Sequence, residues 1–531
     1  MYAWRRWAVM TGLLWCACRS SGPVRAPAAV GDADVFYEVF VRSFHDSNGD
    51  GVGDIRGILE KLDHLNDGRA GEGEDLEVGG LWLTPINPSP SYHGYDVTDY
   101  LGVNPALGTE ADVRQLFDEC HRRGMRVLLD LVVNHTSSQH PWFQAARVGP
   151  ESPTRDYYLW RHDDPGWTQP WPGGRRTWHP LGDGTFFYGL FWSGMPDLNY
   201  GNPAVADAMV HTARTWLQRG ADGFRVDAAR YLYESPDGEL ADLPATHAFF
   251  RRLRAEVAAV KPSALLVAEA WTERARVLEY RGHDDEFHQA FDFDLASAIT
   301  STILGEHGDA LRTELAKIAE TRTPWSYEAT FLSNHDMDRL VSRLPSLAAV
   351  KAAVTLLLML PGTPFLYYGD EVGLPQGSGH GDEAKRTPMP WTAAGGFTTG
   401  TPWYPYAGEL DTRNVATQRR DPASLLSHHR KLIRLRRELG IPRAEAPVML
   451  DAAHPALVVL AYPVAGVVVV VNAGSEVVEM QPVALPGALR GARSVTTVLG
   501  VGEGGMRGGQ LSWSRGQERF TPYESRVLRL R

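Results

Sequence analysis

Cysteine is nearly absent from this chain: 531 residues carry three, Cys16, Cys18 and Cys120. Two sit close together near the N-terminus and the third in "LFDECHRRG", a helical pattern, so a disulfide framework is excluded. Positive charge is also short, with a net charge of −11. Nothing in that balance attracts a phosphate backbone or an anionic membrane surface. No glycine-rich phosphate loop and no HExxH pair occurs, which weakens phosphoryl transfer and metal-dependent hydrolysis as readings. Long unbroken apolar runs are missing too. The N-terminal one, Trp7 to Cys18, has twelve residues, short of the roughly 20 that a spanning helix needs.

What the N-terminus does hold is a secretory pattern. In "MYAWRRWAVMTGLLWCACRSSG", Arg5 and Arg6 precede the apolar stretch, so residues 1–18 read as a signal peptide. Cys18 follows the small Ala17, as lipoprotein cleavage prefers, whereas Trp15 stands where Leu is usual. A lipid anchor at Cys18 and free secretion are both open, and either places the chain outside the cytoplasm. A Pro/Ala-rich linker spans 19–33.

Beyond it, strand-like runs alternate with amphipathic helical ones. The strands are "VFYEVFV" (35–41), "VGGLWLTP" (78–85), "RVLLDLVVN" (126–134) and "ADGFRVD" (221–227), followed by "ALLVAEA" (264–270), "FDFDLA" (291–296), "EATFLSN" (328–334) and "PFLYYGDE" (364–371). Between them, "EADVRQLFDECHRRG" and "PAVADAMVHTARTWLQRG" each end in a helix-stopping Gly. This alternation predicts an α/β fold, a parallel (β/α)8 TIM barrel, over residues 34–134 and 201–438. The interval 135–200 is too long for a crossover helix alone. Rich in Pro, Gly, Asp and Trp (Trp142, Trp160, Trp167, Trp171, Trp178, Trp192), it reads as a subdomain B inserted after strand three. Loops at that end of a barrel carry function, so it is expected to wall the active site, although most of its Trp can simply hold an irregular subdomain together. From 439 to 531 the pattern turns Val-rich and extended, predicting a C-terminal antiparallel β-sandwich.

Catalytic groups of a barrel lie where its strands end. There the sequence places Asp130, Asn134 and His135 after strand three, Arg225 and Asp227 on strand four, Glu269 on strand five, and His335 with Asp336 on strand seven. Any one acid could cap a helix. Asp227, Glu269 and Asp336 together are poor core material, because each desolvated, unpaired carboxylate costs several kcal/mol. Two neighbouring carboxyls suffice for glycoside hydrolysis, one attacking the anomeric carbon and one protonating the leaving oxygen. Arg225, two residues before Asp227 on the same strand face, would keep that acid ionised and leave Glu269 the more tightly protonated.

One loop poses a separate question. "HDSNGDGVGD" sets Asp46, Asn48 and Asp50 at alternate positions before Gly51, with Asp54 closing the run. That rhythm opens an EF-hand, but the twelfth position is Gly57 rather than a bidentate Glu, and a strand precedes it. The loop can hold a hard cation, or it is an Asp/Gly-rich turn.

The ordered set "DLVVNH", "GFRVDAAR", "EAW" and "FLSNHD" resembles the four signature regions of the α-amylase family, glycoside hydrolase family 13. "YHGYDVTDY" (92–100), "MPDLN" (195–199), "PGTPFLYYGDE" (361–371) and "RTPMPW" (386–391) look like further marks. The resemblance implies Asp227 as nucleophile, Glu269 as general acid/base and Asp336 as the clamp on sugar hydroxyls. It also implies Arg225, His135 and His335 around a bound glucosyl unit and Tyr95 as its stacking aromatic. The implied reaction is retaining, through a covalent glucosyl-enzyme. For the loop it implies a structural Ca2+ held by Asp46, Asn48, Asp50, the Val52 carbonyl and Asp54. A second family calcium site uses a His where this chain has Tyr231.

"MPDLN" is intermediate between oligo-1,6-glucosidase and neopullulanase marks. Ala228 stands where a Val tends to accompany α-1,6 cleavage, and Tyr92 where exo-acting α-glucosidases often carry Asp. These features favour an endo-acting α-amylase on starch and maltodextrins, with some transglycosylation, working as a monomer. The alternatives are an α-glucosidase, oligo-1,6-glucosidase or cyclomaltodextrinase/neopullulanase-type enzyme on short maltooligosaccharides and, remotely, a non-catalytic partner of a membrane transporter.

Overall fold

The computed structural model describes residues 35–531 except 70, 72, 442–445, 501–503, 508–509 and 514–517. The signal peptide, Cys16, Cys18 and the linker thus lie outside the described residues.

Eight parallel strands close into a barrel: β1 (Phe36–Val39), β2 (Gly80–Leu83), β3 (Arg126–Val132), β4 (Gly223–Asp227), β5 (Leu265–Ala268), β6 (Gln289–Phe291), β7 (Glu328–Thr330) and β8 (Thr363–Tyr367). Each pairs with its neighbours in chain order and β8 returns to β1, with Phe36 opposite Phe365. Both faces of these strands are buried, inside by barrel side chains and outside by helices, which is why they are short and almost wholly apolar. Phe36, Trp82, Leu128, Val267, Phe291, Ala329 and Phe365 fill the interior as one cluster. Gly80 makes room for them, since a Cβ there would lie 2.3 Å from the Phe36 ring.

The two helices singled out from sequence form where local chemistry specifies them. Glu110–Arg122 starts with a capping box between Thr109 and Asp112. Pro203–Arg219 begins with an Asn202 cap and Pro at its first turn, and stops at Gly220, whose φ of +122° suits glycine.

Strand six needs correction. The alternation in "FDFDLA" predicts a strand over 291–296, but β6 ends at Phe291 and the helix Phe293–Gly305 has already begun. Asp292 decides this, because its carboxylate accepts the Leu295 N–H at 2.9 Å and caps the helix.

Subdomain B carries a small antiparallel sheet (Trp160–Arg161, Trp178–Pro180, Phe186–Tyr188), and backbone bridges join Tyr158 to Leu198 within it and His135, just after β3, to Asp197. Its Trp residues divide by role. Trp167 and Trp178 pack with Tyr188 and Trp160 lies under Arg155, whereas Trp171 and Trp192 reach the barrel mouth.

The C-terminal region forms antiparallel sheets, the largest with five strands. In its strand Val467–Asn472, Val467, Val469 and Val471 join the barrel's core while Val468 and Val470 join a second core. Period-two alternation therefore makes one strand both the seam to the barrel and the centre of the sandwich. Among the described residues no helix is long and apolar enough to cross a membrane.

Candidate active site

At the C-terminal ends of the barrel strands lies a cleft of 690 Å³. Asp227, Glu269 and Asp336 all line it, together with Tyr95 and His135. The strand-end rule therefore located the acids, and barrel closure brings together residues more than a hundred positions apart in the chain.

Arg225 lies buried beneath them on β4. One guanidinium nitrogen donates to Asp130 at 2.7 Å and to Asp227 at 2.8 Å, and the other lies 2.8 Å from a Glu269 carboxylate oxygen as an ion pair. Arg225 thus bridges both candidate catalytic acids, so its charge does not single out Asp227 for ionisation as the sequence reading expected. Burial works against its charge, but Asp130, Glu269 and Asp227 outweigh that and hold it firmly protonated. Burial also pushes the Asp227 carboxyl upward. Arg225 opposes the rise, while the charges of Glu269 and Asp130 add to it. Glu269 is fixed in addition by the Ala228 N–H, 3.1 Å from its carboxylate. Ala228 presents that N–H from a left-handed backbone, φ +49°, a conformation costing a non-glycine residue about 1–2 kcal/mol.

The third acid has its own cationic support. Asp336 lies 3.1 Å from His335 Nε2 and 2.9 Å from an Arg386 nitrogen. Burial alone would raise its pKa, but His335 and Arg386 hold it well below the usual carboxylate range. His335 is fully buried, with Nδ1 2.6 Å from Glu38 and Nε2 also 2.7 Å from the Tyr95 hydroxyl. Burial opposes its charge, yet Asp336 and Glu38 raise it to about 10, so the ring is an imidazolium. Sequence placed His335 around the sugar. The structure spends its nitrogens on Glu38, Asp336 and Tyr95, and makes it a support beneath the cleft. His135 is the reverse case: its Nε2 is buried with no hydrogen-bond partner, and burial lowers its pKa to about 3. A neutral, unpaired imidazole nitrogen at a polar cleft is free for a ligand hydroxyl.

Tyr95 stacks on the His335 ring at 5.3 Å and donates its hydroxyl to Asp130 at 2.8 Å. Sequence reasoning gave no role to several residues found here. Arg386 and Trp271 lie within quoted motifs, and Glu38 is a lone acid in a strand of buried aromatics, so a signal existed for each. His93, inside a quoted motif, and Trp171 and Trp192, in the insertion expected to wall the site, also line the cleft, whereas no local pattern marks Asp382. Tyr231 sits in the wall against Trp171 and Phe191, so an aromatic occupies the place of the second family calcium site's His.

The Asp/Asn loop is built differently from its sequence expectation. All the side-chain donors are oxygens, as calcium requires. However, Asp46 accepts the N–H groups of Asn48, Gly49 and Gly51 and the Thr398 hydroxyl. Asp54 accepts from Ser47 and caps the next helix through the Gly57 N–H. Asn48 and Asp50 cap the N–H two residues on. These oxygens satisfy backbone donors of their own loop, and no cluster of three or more His, Cys, Asp or Glu suited to a metal occurs among the described residues.

Comparison with known proteins agrees with this geometry. The family description "Alpha amylase, catalytic domain" matches residues 38–443. "Alpha-amylase 3" of Dictyoglomus thermophilum is 36% identical over 410 residues, covering 76% of each chain. "Trehalose synthase/amylase TreS" of Mycolicibacterium smegmatis is 37% identical over 462 residues, covering 76% of this chain and 75% of that one. The crystal structure of an alpha-amylase from H. orenii superposes with a TM-score of 0.82 at 33% identity, covering 94% of this chain and all of that one. Barrel, inserted subdomain, carboxylate trio and sequence thus converge on one assignment: the chain belongs to the alpha-amylase family of glycoside hydrolases.

Proposed function

We propose that the protein is a retaining hydrolase of α-1,4-glucosidic bonds in starch and maltodextrins, acting within chains and passing some glucosyl units to sugar acceptors. One observation carries the proposal: Asp227 and Glu269 share the buried Arg225 at the floor of an aromatic-walled cleft, with Asp336 lining the same space.

In the first half-reaction Asp227 attacks the anomeric carbon while Glu269 gives its proton to the departing glycosidic oxygen. In the second, Glu269 takes a proton from water, which breaks the Asp227 ester. Such chemistry requires the two carboxyls about 5–5.5 Å apart in the substrate complex. Arg225 stabilises the Asp227 carboxylate as leaving group, and its ion pair with Glu269 orients that acid. Asp336, kept ionised by His335 and Arg386, accepts from sugar hydroxyls as the ring flattens.

Tyr92 supports the endo reading. It occupies the position of the acid that grips a chain end in many exo enzymes, and it stacks on Trp403 with its hydroxyl 3.3 Å from Arg386. A second reading, an exo-acting α-glucosidase on short maltodextrins, draws on Asp382, a carboxylate that lines the cleft from a different loop, near Arg386. Digestion of a maltoheptaoside blocked at its reducing end separates the two. The endo reading expects several mid-length products at the earliest times, and glucose released alone from the free end defeats it.

Calcium at the Asp46–Asp54 loop is part of the same proposal. The ion would draw on Asp46, Asn48, Asp50, Asp54 and the Val52 carbonyl, brace the loop after β1 and take no part in bond cleavage.

A further inference from the structure

Outside the cleft lies a second buried arginine with three acids. Arg274 donates to Glu314 at 2.7 Å, to Glu328 at 2.7 Å and to Asp292. All four side chains are buried. Its backbone N–H is also taken, by Asp294 at 3.1 Å. The acids come from different elements: Asp292 and Asp294 follow β6, Glu314 lies on the helix Asp309–Thr321, and Glu328 opens β7. Lys317, 3.2 Å from Glu314, is the other cation facing the group.

The position of this hub matters more than its charge. Arg274 stands three residues after Trp271, which itself stands two after Glu269. Asp292 immediately precedes Phe293. Trp271 and Phe293 lie face to face, 4.5 Å apart with planes 10° from parallel. The Arg274–Asp292 pair thus clamps the loop that carries Trp271 to the start of the helix that carries Phe293. Arg230 secures the same loop by donating to the Trp271 carbonyl at 2.9 Å. Trp271 is nonetheless 50% exposed, and it lines the cleft. A large ring left half bare and held flat by a buried ion cluster offers an apolar face to a ligand.

Which part of the substrate meets that face follows from the roles proposed above, on which this inference rests. Glu269 must touch the glycosidic oxygen, so the leaving sugar, and later any incoming acceptor, lies on its side. Asp336, in the reaction proposed above, acts on the donor sugar, and Arg386 supports it. Trp271 is the aromatic nearest Glu269 in the chain.

We propose that Arg274 is a positioning residue that holds Trp271 flat as the acceptor-side platform, and so sets how the glucosyl-enzyme divides between sugar and water. In the transfer step an acceptor hydroxyl oxygen bonds to the anomeric carbon, the ester bond to Asp227 breaks, and the hydroxyl proton passes to Glu269. Hydrolysis is the same exchange with water. The platform adds binding for the sugar acceptor and nothing for water.

The test uses the full-length enzyme with p-nitrophenyl α-maltoside as donor and maltose as acceptor. Nitrophenol release reports donor turnover, and product analysis reports transfer. The informative variant is Asp292→Asn, because Asn still caps the Leu295 N–H while the charge facing Arg274 is lost. The expected result is nitrophenol release within about twofold of wild type without acceptor, and at least about a fivefold rise in the maltose concentration giving half-maximal transfer. Trp271→Ala should move transfer the same way, and the double variant should add little to either single one. Four results overturn the inference: a melting-temperature loss with transfer unchanged, a parallel fall in turnover and transfer, full additivity in the double variant, or no acceptor effect in the wild type. Absence of nitrophenol release by the wild type would instead remove the cleft's assigned chemistry, and this inference with it.

Discussion

Two buried arginines in this barrel each hold three carboxylates, but the Arg225 group faces a cleft of 690 Å³ and the Arg274 group only a pocket of about 10 Å³, too small for a sugar. Arg225 grips Asp130, Asp227 and Glu269, two of which line the cleft. Arg274 grips Asp292, Glu314 and Glu328, all closed off from solvent. Counted by residue type, the two are nearly the same object. The difference lies in what each acid meets on its free side. At Arg225 a substrate atom can approach, so the stored negative charge can act on a reacting centre. At Arg274 the charge can only hold elements together, at a desolvation cost that makes such clusters poor sources of net stability. A perturbed ionic cluster is therefore a functional signal only when it borders open space.

The largest effect should come from breaking the open cluster at its reacting acid. Asp227→Asn should lower kcat on soluble starch by at least about 10⁴-fold with the fold intact by circular dichroism. Retention of more than a trace of activity would refute the nucleophile assignment. Next comes the sealed cluster. Arg274→Met strands three buried carboxylates, so urea denaturation should report a loss of about 3–5 kcal/mol. A neutral outcome would mean that the acids simply protonate and pack, and that the hub carries little.

A smaller effect, in pH dependence, contrasts the two regions. Burial, with the charge of neighbouring Asp292, raises Glu328 to about 8. An acid raised on folding contributes stability that is complete below its unfolded value of roughly 4.3 and is lost as pH climbs through its folded value. The sealed hub should thus weaken between about pH 4.3 and 8. At the cleft, His335 is raised to about 10 by Asp336 and Glu38, against the opposing pull of burial. Its contribution is complete below roughly pH 6.5 and is lost between there and about pH 10. Glu328→Gln should flatten the stability slope between about pH 5 and 6.5 and leave the slope between about pH 8 and 10 in place. Equal slopes in variant and wild type would erase the distinction.

The smallest expected effect is calcium. If the loop after β1 takes the ion, saturating Ca2+ should raise the melting temperature by about a few degrees over the chelated enzyme. Asp50→Ala should abolish the shift without changing kcat. No shift in the wild type leaves a self-capped turn.

The comparison also explains how far the sequence could be read. Asp227, Glu269 and Asp336 were legible because Asp227 ends its strand, Glu269 directly follows one and Asp336 lies in the loop after one, and a barrel turns its strand ends toward one mouth. Strand six failed because "FDFDLA" satisfies an alternation test while Asp292 caps a helix, and capping is a competition that periodicity does not register. The calcium loop kept two readings for a related reason, since the same oxygens that suit an ion also suit the loop's own amides.

By itself the sequence determined the barrel, the inserted subdomain, the Val-rich sandwich and the identity of the acids, because these rest on local periodicity and on strand ends. Only the tertiary structure decided that Arg225 serves two acids, that His335 is consumed by Glu38 and Asp336, and that Trp171, Trp192 and Trp271 border the cleft. The reason is physical. Ion pairs and ring stacks act over a few ångströms between residues far apart in the chain, and which of them meet is settled only when β8 closes on β1 and fixes every side chain's neighbours.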